Sequence, residues 1–347
     1  MQALSKTRMW GTRQTWSHRK IIVTRRIATM YEQTSSLASA RKSQSEAYKR
    51  MRRIGRNYEL YLLILPAFLY FVVFHYWPMY GVQMAFKDFN AGLGIADSPW
   101  VGMKHFIRFI NGTSFWMLLK NTVGISVYTL LVGFPAPIVL ALIINEIRNR
   151  KFKKWIQTIT YAPHFISTVV MVSLIMILLN PSYGIINQLM GLFGADAVDF
   201  MAKREWFKTI YVFSDIWQNA GWASIIYLAA LAGIDPEQHE AAMIDGASRL
   251  QRIWHVNIPG IMPTMVILFI LNAGGIMTVG FEKIFLMQNP LNNSASEVIS
   301  TYVYKIGLLQ VQYSFAAAVG LFNSVVNFIL LLTVNGIAKR LNQTSLW

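Results

Sequence analysis

Four residues between positions 215 and 222 are spaced for one kind of chemistry. Asp215, Gln218, Asn219 and Trp222 fall at i, i+3, i+4 and i+7, which is one face of a helix. A carboxylate and two amides bond hydroxyls, and an indole offers an apolar face to the C–H side of a ring. The set suits a sugar. Trp217 and Tyr227 are secondary candidates, Asn323 and Asn327 form an i, i+4 pair, and Asn272 lies between the two groups. An Asp at the centre of a membrane helix costs roughly 2.5–3.5 kcal/mol on insertion scales, so Asp215 in an apolar setting needs a reason. Intramembrane amides also bridge neighbouring helices, and Asp215 lies near the outer end of its apolar segment. Both uses stay open at this point.

Other chemistries fail on residue type or spacing. There is no cysteine, which removes disulfides, Cys-ligated zinc, iron–sulfur clusters and thiol catalysis. No G-x-x-x-x-G-K-[ST] run occurs, so the chain has no P-loop for ATP. His239-Glu240 begins like H-E-x-x-H, but Met243 stands where the second His is needed. His75, His105 and His164 have no ligand-spaced partners and read as packing residues near segment ends. No nucleophile elbow is present. No metal site is expected.

The elements that must position the polar stripe are apolar helices. The chain of 347 residues is 54% hydrophobic and 14% charged, with a mean hydropathy of +0.38. A soluble domain carries about 25% charged residues. A membrane helix needs about 20 mostly apolar residues. Six segments qualify: Leu60–Tyr80, Val123–Ile144, Ile156–Leu179, Ile210–Ala232, Pro263–Phe281 and Phe315–Ile337. The second, third and sixth contain no charged residue. The fifth is short and rich in glycine (Gly274, Gly275, Gly280), and is the weakest by hydropathy. Tyr76, Trp77, Pro78 and Tyr80 end the first in the manner of an interfacial belt.

Charge sets the expected orientation. The net charge is +16, and residues 1–59 hold 14 Lys/Arg against Glu32, Glu46 and Glu59. Residues 1–56 read as a basic, disordered cytosolic tail lying against anionic lipid. Its first 31 residues also resemble a transit peptide, and Met30 or Met51 are possible alternative starts. Nothing beyond charge supports nucleic-acid binding by the tail. The tail, Asn145–Trp155, Gly233–Met262 and the C-terminus together hold 23 Lys/Arg, and the opposite loops hold eight. Without the tail the score is nine to eight. The positive-inside rule then puts both termini in the cytosol.

Gly233–Met262 departs from the basic trend with a net charge of −2, from Asp235, Glu237, Glu240 and Asp245 against Arg249 and Arg252. Asp235 is a good N-cap, Pro236 fits the first helical position and Gln238 would complete a capping box. The helix should end near Ile244, with Gly246 in the left-handed conformation. Ser248 should cap a second short helix through about Val256, and Pro259 and Pro263 should stop it and start the next span. An acidic helix–turn–helix beside basic membrane loops is a surface for a protein partner rather than for lipid.

Glu240-Ala241-Ala242, Asp245-Gly246-Ala247 and Val256-Asn257-Ile258-Pro259 resemble the EAA loop of permease subunits of binding-protein-dependent ABC importers. That pattern has a Gly four residues after the last Ala, nine residues, then Ile-x-Leu-Pro; Val256 and Ile258 are conservative departures. Tyr76–Gly81, 85–89 (AFKDF), 98–102 (SPWVG), Phe281–Phe285 and 300–304 (STYVY) resemble the LplB-like subgroup, near the maltose and alginate importers. The similarity covers about residues 57–341. It implies an all-α, six-helix, MetI-like type I permease core at 57–341, with a coupling loop at 233–262. It also implies transport of oligosaccharides or polysaccharide fragments across a bacterial cytoplasmic membrane. The chain would not be an enzyme. ATP and Mg would sit on two cytosolic ATPase subunits gripping Glu240, Ala241, Ala242, Asp245, Gly246, Ala247 and Pro259. A second, non-identical permease would complete the pore, and an extracytoplasmic sugar-binding protein would deliver the cargo. An ion-coupled secondary transporter would instead show inverted repeats and coupling-ion sites. A membrane enzyme would need a clustered catalytic set. Neither is found.

Overall fold

The computed structural model describes residues 57–340. The basic tail expected at 1–56 lies outside them. The fold is helical; among the described residues the β features are two isolated bridges, Lys87↔Trp100 and Asn90↔Gly94. The chain divides into two units, Met1–Tyr80 and Gly81–Trp347.

In the first unit, α1 (Tyr58–Phe71) runs on through a π turn, Val72–Tyr76. None of its residues is buried, and Leu62, Leu63, Phe68 and Phe74 are all exposed. A helix apolar on every side is a lipid-facing one.

The second unit holds the remaining long helices. α2 (Phe115–Tyr128), a π turn at Thr129–Gly133 and α3 (Pro135–Asn145) form one continuous 31-residue rod. α4 (Arg150–Tyr161) and α5 (Thr168–Leu178) follow, then α6 (Arg204–Ala232), α7 (Pro236–Ile244) and α8 (Arg249–Arg252). α9 (Ile258–Gly274) and α10 (Tyr313–Arg340) complete the set. Among the described residues, four helices are long and apolar enough to cross a membrane: Tyr58–Phe86, Phe115–Asn145, Arg249–Gly274 and Tyr313–Arg340. α6 has 29 residues, about 43 Å at 1.5 Å each, but its polar stripe keeps it below that apolar threshold.

Three expectations need correction. The segment Ile156–Leu179 is not one straight span: Arg150–Phe165 and Thr168–Leu178 meet at 100°. Pro163 sits in a 3-10 turn, and the Ser167 hydroxyl accepts from Val170 N to start a new helix, so the chain turns where composition alone is uniform. The fifth span does not run to Phe281. It stops at Gly274, and Gly275–Gly280 is non-helical. At its other end, Pro259 does start the span, but neither it nor Pro263 stops the preceding helix. Pro259 occupies the first turn of α9, and Arg249–Gly274 is one helical run through a π turn at Ile253–Asn257.

The segments 85–89 (AFKDF) and 98–102 (SPWVG) fold onto each other. Asp88 N donates to Pro99 O at 2.8 Å and Val101 N to Phe86 O at 2.9 Å. Lys87, 3% exposed, donates to Ile95 O and Ala96 O and lies over the Trp100 ring. Lys104 donates to Asp88 at 3.0 Å, which holds that carboxyl below its ordinary value. Phe89 N donates to Ser314 Oγ, tying this loop to the start of α10.

α6 is the central post. It packs along α3 and touches α4, α5's flanking turn and α9. Its closest approach is at Gly221, where a Cβ would overlap the Thr160 carbonyl of α4. Gly221→Val should therefore lower thermal stability of the purified chain by about 1–3 kcal/mol through overpacking. Gly320→Ala, with nothing near its Cβ, should leave it unchanged or slightly raised; equal effects would show that the α4–α6 contact is loose.

Candidate functional site

A cavity of about 490 Å³ opens between α2–α3, α6 and the end of α9. Asp215, Asn219 and Trp222 line it from α6, and Asn272 lines it from α9. The opposite wall is the π turn of the α2–α3 rod, through Thr129, Leu130 and Gly133. A π turn widens a helix and breaks its regular repeat, which suits a wall shaped for a ligand. The remaining wall is the non-helical run, whose Gly275, Ile276, Thr278, Val279 and Gly280 line the cavity. Irregular backbone at membrane depth is stable only where it is buried in protein or faces a cavity.

The polar stripe divides by partner. Asn219 Nδ2 donates to Asp215 Oδ1 at 3.0 Å, and Asn219 Oδ1 lies 3.0 Å from His164 Nδ1. The His164 ring stacks on Trp222 at 4.8 Å and 4°. Phe165 meets the same indole edge-on at 5.7 Å. His164 thus joins the site through the turn between α4 and α5. Its role was invisible in the sequence because its partners lie 55 and 58 positions away. Gln218 faces elsewhere. It is 8% exposed, and its Nε2 donates to Ile166 O at 2.9 Å, satisfying the carbonyl at the 100° bend. Asn327 is used in the same way: Met277 N donates to its Oδ1 at 2.8 Å, and its Nδ2 donates to Thr278 Oγ1. Asn323 lies in a separate cavity with Phe281, Tyr304 and Gly320. Trp217 is exposed, and Tyr227 lines the first cavity.

By sequence position Lys283 is one of the eight Lys/Arg of the opposite loops. The structure buries it at 5% exposure, 3.7 Å from Asp215 Oδ1, with its ammonium donating to Tyr211 O and lying over the Tyr211 ring. The charge of Asp215 is therefore balanced from behind, while the carboxylate itself stays one-third exposed to the cavity.

The acidic loop forms a second site. α7 starts at Asp235, whose carboxylate accepts from Glu237 N at 3.0 Å, with Pro236 in the first turn. The capping box expected with Gln238 is not the cap that forms; the box occurs on α8, where Ser248 and Gln251 bond reciprocally. Gly246 has φ +78°, Ala247 N donates to Ala242 O and Gly246 N to Met243 O, which is a Schellman ending. No residue of α7 is buried. Glu240, Ala241, Asp245, Gly246 and Pro259 are exposed, Ala242 and Ala247 partly so, and Met243 and Ile244 add exposed apolar surface. One core cluster connects this loop to the cavity. Ile234, Ile253 and Ile258 pack with Ile138, Leu142, Leu231 and Ile261, and the same cluster contains Phe134, Tyr227 and Leu268 of the cavity wall.

The geometry has relatives. Residues 133–343 match the family model described as binding-protein-dependent transport system inner membrane component. The polygalacturonan/rhamnogalacturonan transport system permease protein YteP of Bacillus subtilis (strain 168) is 44% identical over 288 residues, 83% of this chain and 90% of that one. Protein LplB of the same organism is 43% identical over 86% and 93% of the two chains. The crystal structure of a bacterial ABC transporter involved in the import of the acidic polysaccharide alginate contains a chain superposing with TM-score 0.78. Its identity is 41%, over 84% of this chain and 99% of that one. A second structure, of a bacterial alginate ABC transporter in complex with an alginate pentasaccharide-bound periplasmic protein, gives 0.79, 40%, 85% and 99%.

Asp215→Ala leaves a buried ammonium without its carboxylate, whereas Lys283→Met leaves a carboxylate that still reaches the cavity. The first should cost more stability, of order 3 kcal/mol. Thermal unfolding of both variants in one detergent checks this; the reverse order would mean that Lys283 is held by Tyr211 rather than by the ion pair.

Proposed function

This chain belongs to the family of binding-protein-dependent transport system inner membrane components, and from that premise we propose that it is the pore-forming permease subunit of an ATP-driven importer of oligosaccharides or polysaccharide fragments. The observation that carries the reading is the unbroken apolar core from the exposed acidic loop to the wall of the polar cavity. A motor that grips α7 can move Ile234 and Ile258, and these are packed against the helices that shape the cavity. ATP and Mg belong to a pair of cytosolic ATPase subunits, since this chain has no P-loop. Glu240 pairs with polar groups of the ATPase, Ala241 and Ala242 allow close packing, and the Schellman turn keeps the lever stiff. A second permease completes the pore, and an extracytoplasmic binding protein delivers the sugar. The chain is a multi-pass protein of the bacterial cytoplasmic membrane with its acidic loop and both ends in the cytosol.

The charge balance of the cavity bears on the cargo. An unpaired Asp215 would repel a uronate, and Lys283 cancels that repulsion. Relatives named for polygalacturonan and for acidic alginate make uronate-bearing oligosaccharides the first cargo to test. Trp222 and the stacked His164 supply the ring platform, and Asp215, Asn219 and Asn272 bond hydroxyls.

In proteoliposomes holding the whole transporter, Glu240→Lys and Gly246→Pro should abolish uptake of a labelled oligogalacturonide and uncouple ATP hydrolysis, while the protein still inserts. Normal transport by both would sink the lever role. Trp222→Ala should lower uptake at least tenfold with ATPase docking intact. Lys283→Met should reduce uptake of acidic oligosaccharides more than of neutral ones, and an equal reduction would remove the charge argument.

A further inference from the structure

The polar stripe of α6 continues past the cavity towards the start of the helix. Lys208, Tyr211, Asp215, Asn219 and Trp222 fall at i, i+3, i+7, i+11 and i+14, within about 60° of one another around the axis. The last four line the cavity, and Lys208 stands one turn beyond Tyr211. Its ammonium reaches across to α2. A Cβ on Gly124 would lie 2.6 Å from Lys208 Nζ and 3.7 Å from its Cε, and would meet no other group outside its own helix within 4 Å. The gap in α2 therefore fits the head of this lysine and not the body of a neighbouring helix. Lys120 precedes Gly124 by one turn on the same face of α2, so two ammonium groups from two helices converge there and repel each other. The helices run in the same direction, since Gly133, further along the α2–α3 rod, meets Ile216, further along α6. Both lysines thus lie at one end of the pair, each in the second turn of its helix. Lys208 is half-buried and Lys120 exposed, and among the described residues neither makes an ion pair or a hydrogen bond. Lys283 is the contrast: it has the Asp215 carboxylate, the Tyr211 carbonyl and the Tyr211 ring. An unpaired cation on a membrane helix is costly, and so is a glycine inside one. Both costs fall at the one point where Lys208 enters the space that Gly124 leaves.

We propose that Lys208 and Lys120 form a carboxylate-binding subsite at the extracytoplasmic mouth of the polar cavity, which takes the uronate group of an incoming oligosaccharide. This rests on the reading of the chain as a sugar-importing permease with the start of α6 on the outer side. Two ammonium groups on facing helices can each donate a charge-assisted hydrogen bond to one carboxylate. A carboxylate between them also cancels their mutual repulsion, which a neutral sugar cannot do. Lys208 and Asp215 are seven residues, about 10 Å, apart along α6. A uronate held at the mouth therefore leaves the rest of the oligomer to extend inward along the same stripe, to Asp215, Asn219 and Trp222. The two lysine sites divide the work: Lys283 neutralises the carboxylate in the wall, and the unpaired lysines attract the carboxylate of the cargo.

The test measures ATP-driven uptake by the whole transporter in phosphatidylcholine proteoliposomes, with a labelled oligogalacturonide and its methyl ester. The ester keeps the rings and removes the charge, so the acid-to-ester ratio is the readout. K120Q/K208Q should lower that ratio roughly tenfold, the worth of one charge-assisted hydrogen bond. Phosphatidylcholine carries no net charge, so the loss cannot come from a displaced anionic headgroup. Gly124→Ala takes the space of the ammonium and leaves both cations. It should lower the ratio about threefold in the otherwise unsubstituted chain and not at all beside Lys208→Gln. Equal losses for acid and ester would assign the lysines to packing and overturn the proposal, and so would an unchanged ratio. The same effect of Gly124→Ala in both backgrounds would overturn it too, because the glycine would then serve α2 itself. Absence of uptake of either sugar by the unsubstituted transporter would sink the permease reading, and this inference with it.

Discussion

A backbone carbonyl or amide in hydrocarbon must find a partner inside the protein, and the site of this chain is built around two places where helices give that partner up. At Ile166–Ser167 the chain turns by 100°, and at Gly275–Gly280 it stops being helical. Each break is repaired by an amide from a facing helix: Gln218 bonds Ile166 O, and Asn327 bonds Met277 N. Unsatisfied groups there would each cost several kcal/mol. The repaired breaks supply what a straight helix cannot. One brings His164 and Phe165 against Trp222, and the other presents bare glycine backbone to the cavity.

The same economy governs charge. Asp215 stands at a polar wall, and Lys283, on a separate short helix, reaches it from the buried side. The acidic loop shows the opposite arrangement. There no side chain of α7 is buried, and stiffness comes from caps at both ends of α7 and from the box on α8. Packing of Ile234 against the Gly260 backbone joins the loop to α9 with no room for a side chain between them.

Much of this was legible in advance. The stripe at Asp215, Asn219 and Trp222, Asn272 across from it, the left-handed Gly246 and the Ser248 cap each depend on local spacing, and local spacing is what a sequence states directly. What was hidden depends on partners. Gln218 shares the stripe's period with Asp215 yet serves the Ile166 bend, because period defines a face and not what stands opposite it. Lys283 looked like a loop cation because it follows an apolar run; only the fold shows Tyr211 and Asp215 closing on it. The bend in Ile156–Leu179 escaped because hydropathy averages over Pro163 and Ser167. The glycines of the fifth segment did mark its weakness, and that weakness is where the helix ends.

Single π turns interrupt the α2–α3 rod at Thr129–Gly133 and the α8–α9 run at Ile253–Asn257. A π turn is one surplus residue stored in a helix. When it slides by a position, the residue it passes rotates by about 100° about the axis, while the helix keeps its length and nearly all its hydrogen bonds. One of these stores borders the cavity and the other sits between the acidic lever and α9. Lining residues can therefore be swapped at one end, and the lever re-aimed at the other, by moving a defect along an intact rod instead of tilting the rod itself.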